Sequence, residues 1–207
     1  FSETAVVQAM MDFEAALARA QARCGLIPSS AAQAIASLCR AELYDVSAMV
    51  GASARAGSLA LPVVRKLTET VALFDPVAAG FVHWGSTSQD VVDTAMVLQT
   101  RRALALIQND LLELCARLLA LAEQFADTPV LAHALLQPAQ VSSLRVKLLN
   151  WLLPLLRSAE ALQLQARSAL QLQLGGAVGT LTGMGAAGWD VVHAMAAELE
   201  LAAPQMA

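Results

Sequence analysis

Apolar side chains recur every three to four positions along most of this chain and almost nowhere alternate with polar ones, which is the signature of helix rather than strand. Val6, Met10, Phe13 and Leu17 predict a first helix over about 4–24, closed at Gly25 near Pro28. Ser29 or Ser30 caps a second, holding Ile35 and Leu38. Asp45 opens a third that ends near Gly57. Pro62 opens a fourth, with Val63, Val64, Leu67 and Val71, which stops before Asp75-Pro76. From Ser88 the period is sustained far longer. A helix from there to about Ala126, ending at Asp127-Thr128-Pro129, would span roughly 60 Å at ~1.5 Å per residue. A second long helix is expected from about Pro138 to Leu172, through Val141, Leu144, Leu148, Leu152, Leu155 and Leu162, with a kink at Pro154. A glycine-rich segment at 175–180 and a last helix over about 189–201 complete the chain. The expected fold is all-α: a small N-terminal helical domain at 1–90, then part of a long-helix bundle at 91–207. At least two helices should exceed about thirty residues.

Composition narrows the setting. Hydrophobic residues make up 57% of the chain and charged residues 14%, against about a quarter charged in typical domains. That much apolar side chain needs either a membrane or other subunits to cover it. The membrane fails, because the longest uncharged stretch, Ser168 to Trp189, holds six glycines. The most apolar run, Leu148 to Leu156, is interrupted by Asn150 and Pro154. Burial of leucine-rich helix faces in an oligomer is therefore expected. A net charge of −4 leaves no basic footprint for nucleic acid. An anionic ligand must then be held by local donors. Cys24, Cys39 and Cys115 form no Cys-x-x-Cys pair and are read as buried free thiols, which fits a cytoplasmic location. His83, His133 and His193 are isolated, so no metal site is expected. The chain opens at Phe1 close to a helix and closes at Ala207 just after one, so further sequence is expected beyond it.

One stretch concentrates the chemistry. His83-Trp84-Gly85-Ser86-Thr87-Ser88-Gln89-Asp90 sets an imidazole, a glycine, three consecutive hydroxyls, an amide and a carboxylate just ahead of the long apolar period. Thr87 or Ser88 is read as N-cap, with Asp90 and Asp93 in the first turn. Free N–H groups at such a terminus can bind an anion. Capping alone accounts for the residues about equally well.

This octapeptide, with Val91-Val92-Asp93-Thr94-Ala95 behind it, resembles the first shared motif of the fumarase/aspartase superfamily. In that family a His-x-Gly-x-Thr-Ser segment binds substrate carboxylates. The resemblance implies that His83, Ser86, Thr87, Ser88 and Gln89 bind substrate. A second segment, Ala132-His133-Ala134-Leu135-Leu136-Gln137-Pro138-Ala139, departs from the lyase pattern Gly-Arg/Tyr-Thr-His-x-Gln-x-Ala. Gln137 and Ala139 are kept, but Leu135 stands where lyases place an acid/base histidine, and an aliphatic side chain carries no proton. Together with Gln173-Leu174-Gly175-Gly176-Ala177-Val178-Gly179-Thr180-Leu181, this resembles the muconate-cyclising branch.

The resemblance implies a cycloisomerase that forms a lactone by intramolecular carboxylate addition, in aromatic-compound catabolism. It also implies a small polycarboxylate substrate, no cofactor and a homotetramer. Gln137 is expected to bind substrate, His133 is a candidate acid/base, and the family's catalytic serine loop is expected beyond Ala207. A fumarate-releasing lyase and a non-catalytic helical fragment are the alternatives. Gly175–Thr180 lacks the Gly-Lys-Ser/Thr ending of a P-loop and follows no strand, so it reads as a glycine turn for close packing.

Overall fold

In the computed structural model, residues 1–206 are described, and helix dominates as expected. The elements are α1 (Glu3–Arg23), α2 (Ser29–Leu38), α3 (Val46–Ala56), α4 (Ala60–Phe74), α5 (Pro76–Ala79), α6 (Ser88–Gln124), β1 (Pro129–Ala134), β2 (Gln137–Ser143), α7 (Leu144–Ala169) and α8 (Gly188–Leu199). α4 opens two residues earlier than read, with Pro62 in its first turn, where a missing N–H costs nothing. α5 is an unforeseen single turn, capped by Asp75, whose carboxylate accepts from the N–H groups of Val77 and Ala78.

The chain forms two compact units. The first joins Phe1–Arg101 with the chain from Leu170 on. α1 lies at its centre and packs against α2, α3, α4 and α8. It is buried around most of its circumference, including Val7, Met11, Phe13, Leu17 and Ala20. Ile35, Val63, Leu67, Val71, Val191, Val192 and Met195 close the same core.

The second unit is Arg102–Ala169. A small cluster there joins Cys115, Leu118 and Ala122 of α6 to Leu148 and Leu152 of α7. The loop and helix start expected at 127–140 are instead an antiparallel hairpin, with Pro129 paired to Ser143 and Ala134 to Gln137. The second long helix consequently begins at Leu144, and its 26 residues fall short of the length expected. Its period was genuine from Leu144 onward; Val141 merely happens to fall in phase. Pro154 lies inside it. Large apolar side chains stay exposed along α6 and α7, among them Leu106, Leu112, Leu119, Trp151, Leu156 and Leu164. No described helix is long and apolar enough to cross a membrane. The three cysteines are free, Cys39 and Cys115 buried and Cys24 half-buried.

Candidate active site

The site at the start of α6 is built from a strained turn, a buried carboxylate and a glycine-rich partner loop. After α5 the chain turns through 81–87 with two left-handed residues, His83 (φ 60°) and Gly85 (φ 76°). Glycine adopts that conformation freely, whereas histidine does so at a cost. An ideal Cβ on Gly85 would sit 2.8 Å from Met184 Cγ, and one on Gly183 would sit 2.9 Å from Gly85 Cα. The two backbones touch; within the 175–180 run expected to serve close packing, a Cβ on Gly176 would lie 3.0 Å from the Gly85 carbonyl oxygen, and Gly183 beyond that run packs as closely.

Asp90 organises the junction. It is 1% exposed, and its carboxylate accepts three backbone N–H bonds: from Thr87 (2.9 Å), Gly175 (3.0 Å) and Gly176 (3.0 Å). One turn on, the Thr94 hydroxyl donates to the Gln173 carbonyl (2.9 Å) and accepts from the Gln173 N–H (3.1 Å). The glycine run therefore spends two N–H groups on an internal carboxylate. Asp90 also supplies the carboxylate half of a capping box, not the hydroxyl half. The Thr87 N–H goes to Asp90, in the manner of a capping box, and neither the Thr87 nor the Ser88 hydroxyl has an intramolecular partner among the described residues.

His83 is tied down from below. Its Nδ1 lies 2.6 Å from Glu14 Oε1 and 2.9 Å from Ser86 Oγ, and the Ser86 hydroxyl reaches the His83 carbonyl at 3.3 Å. Burial lowers the affinity of the ring for a proton, but the Glu14 hydrogen bond and the charges of Glu14 and Asp90 outweigh it and raise the His83 pKa above its ordinary 6.5. A raised folded value means that the protonated ring contributes stability fully below the unfolded value, lost as pH rises through the folded one. The stability gap between the parent and His83→Gln, read from urea midpoints, should therefore be wide at about pH 6 and narrow by about pH 9. Gln21 secures the next residue, donating to the Trp84 carbonyl at 2.7 Å. Gln89 turns along the helix instead, donating to Asp93 at 2.7 Å. A groove of about 510 Å³ opens beside the α6 terminus, lined by Ser88, Gln89, Val92, Met96 and Gln99 of α6 with Ser58 opposite. Among the described residues no group of three or more His, Cys, Asp or Glu side chains is placed to hold a metal.

A family model described as a lyase matches residues 1–207, the whole chain. The chain belongs to this lyase family. Among its relatives, 3-carboxy-cis,cis-muconate cycloisomerase of Pseudomonas aeruginosa is 46% identical over 99% of this chain and 45% of its own length. The enzyme of that name from Acinetobacter baylyi is 38% identical over 97% of this chain and 45% of its own. The crystal structure of 3-carboxy-cis,cis-muconate lactonizing enzyme from Pseudomonas putida superposes with a TM-score of 0.97 at 44% identity, covering all of this chain and 47% of that one. A fumarate lyase from a Mesorhizobium species gives 0.91 at 35% identity, again over all of this chain and 48% of that one. The chain thus spans about half the length of the relatives it matches. The motif-based resemblance to the muconate-cyclising branch of the fumarase/aspartase superfamily is borne out.

In this lyase-family chain the motif residues divide between the units. His83, Ser86, Thr87, Ser88 and Gln89 lie together in the first. His133 and Gln137 lie on the hairpin of the second, both exposed, His133 within β1 and Gln137 opening β2. Leu135 and Leu136 form its two-residue turn, both at positive φ (49° and 63°) and 97% and 98% exposed. Glu14, Gln21 and Thr94 were missed by sequence reasoning. The available signal for Glu14 was its place between Met10 and Leu17, a carboxylate on an apolar stripe.

Proposed function

We propose that the protein acts as a cycloisomerase on 3-carboxy-cis,cis-muconate, in aromatic-compound catabolism through the β-ketoadipate route. The observation that carries this reading is the pair of hydroxyls at Thr87 and Ser88, which have no intramolecular partner among the described residues. They stand at the positive end of a 37-residue helix, beside a histidine whose pKa is raised, an arrangement suited to carboxylates. Similarity to cycloisomerases along the whole chain supports the substrate.

In the reaction one carboxylate oxygen of the substrate adds across the conjugated double bond and forms the lactone C–O bond. The displaced electron pair moves onto the neighbouring carbon and its carboxylate, which becomes enolate-like until that carbon is protonated. Donors aimed at the developing charge lower the barrier. Thr87 and Ser88 take that role here, while His83 and Gln89 orient the substrate; Ser86 is a further binding candidate beside them, and Gln137 is a separate one on the hairpin of the second unit. His133 is the candidate for proton transfer within this chain. Leu135 in place of the usual histidine disfavours a fumarate-releasing lyase.

The exposed leucines of α6 and α7 support a homotetramer, and the free thiols support a cytoplasmic setting. A mass of four chains by light scattering is the expected assembly, and a stable monomer would refute it. The complete gene product should consume 3-carboxy-cis,cis-muconate, followed by loss of diene absorbance, and leave adenylosuccinate and argininosuccinate untouched. Cleavage of either succinate in place of the muconate would overturn the reading.

A further inference from the structure

Glu14 lies outside the motif, yet it is the buried carboxylate of α1, 1% exposed, with Oε1 on His83 and Oε2 without a hydrogen-bond partner. Folding alone does not call for it. A buried ion pair can often be replaced by apolar side chains of similar volume at no loss of stability, and the surrounding α1 positions are already Met10, Met11, Phe13 and Leu17. Two turns along the same helix, Gln21 holds the Trp84 carbonyl. α1 thus grips two consecutive residues of the strained turn.

We propose that Glu14 is a positioning residue that fixes the proton of His83 on Nδ1 and keeps the ring positively charged, so that Nε2–H is presented to a substrate carboxylate. The inference rests on the substrate-binding role of His83 given above. A carboxylate only accepts hydrogen bonds, and the Ser86 hydroxyl, which donates to the His83 carbonyl, accepts at the same ring nitrogen. Nδ1 therefore carries a hydrogen, and the tautomer with a bare Nδ1 would set a lone pair against a carboxylate. Nε2 has no partner among the described residues, and the side chain is 21% exposed. The charged groups that act on the ring are Glu14 from α1 and Asp90 from α6, both negative. The packed segment 175–188 carries no titratable side chain. The nearby Cys39 thiol is pushed up by burial and by the charge of Glu14, so it stays protonated and does not compete.

The test uses the complete gene product as parent, Glu14→Gln and Glu14→Asp, with His83→Gln to assign the imidazole signals by NMR. The parent should show Nδ1–H and a His83 pKa above 6.5. In Glu14→Gln burial is opposed only by the charge of Asp90, so that pKa should fall below the parent's, and the charged share of the ring at neutral pH should fall with it. The alkaline limb of kcat/KM for 3-carboxy-cis,cis-muconate should move down with it, and Glu14→Asp should restore part of both shifts. If Glu14→Gln costs only stability and leaves the tautomer and pKa of His83 unmoved, Glu14 is a packing residue and the proposal is overturned. A pKa that falls while kcat/KM and its pH profile stay as in the parent also overturns it, with the substrate assignment intact. If the parent shows no turnover while the NMR shifts follow Glu14, the positioning stands and the substrate assignment is what fails.

Discussion

Asp90→Ala is expected to destabilise the first unit by on the order of 3–6 kcal/mol, because three backbone N–H groups lose their acceptor in a site with little access to water. Two of those donors, Gly175 and Gly176, lie 85 and 86 positions away in sequence. The loss would therefore free the glycine loop from the motif turn as well as unwind a helix start. Asp90→Asn should fall between parent and alanine, since its single oxygen serves some donors while its NH₂ group confronts another. Urea midpoints on the three proteins give the answer. A shift for alanine under about 1 kcal/mol would mean that water replaces the carboxylate at little cost.

Thr87→Ala combined with Ser88→Ala should act on binding instead of folding. Each hydroxyl donated to a charged oxygen is worth about 1.5–3 kcal/mol, so the pair should weaken polycarboxylate affinity by roughly two to four orders of magnitude. Neither hydroxyl caps α6, so stability should change by less than about 1 kcal/mol. Titration calorimetry on the complete gene product with a polycarboxylate ligand, beside a thermal melt, separates the two effects. Unchanged affinity would move the carboxylate-binding role away from these hydroxyls.

The course of α1, α2, α3, α6 and α8 could be read from apolar spacing because their buried faces follow the helical period. The hairpin could not. Its strands lack β-branched alternation, and its turn is Leu135-Leu136, where left-handed backbone is ordinarily signalled by asparagine or glycine. Such a turn is dictated by pairing across the strands and invisible to local propensity. The site was half legible. Polar density at 83–90 marks the turn, and the glycines at 175–180 declare a close approach without saying to what. That Asp90 is their shared acceptor, and that Glu14 lies beneath His83 across 69 positions, arises only when distant segments meet. Thr87 illustrates the opposite failure. Its residue type predicts a side-chain cap, but the hydroxyl makes no such bond, and it is the Thr87 N–H that is held, by the Asp90 carboxylate.

The first unit is discontinuous, and this has a consequence for synthesis. α1 through the start of α6 emerge from the ribosome well before α8 and the two glycine N–H groups that complete their core. The intervening stretch of roughly 70 residues takes about 4–14 s to make at about 5–20 residues per second. For that interval the apolar side of α1 waits without its last partner, while an exposed leucine-rich helix is being added behind it. Nascent chains of this protein should accordingly engage holding chaperones between the completion of the motif turn and the arrival of α8, whatever the stability of the finished fold.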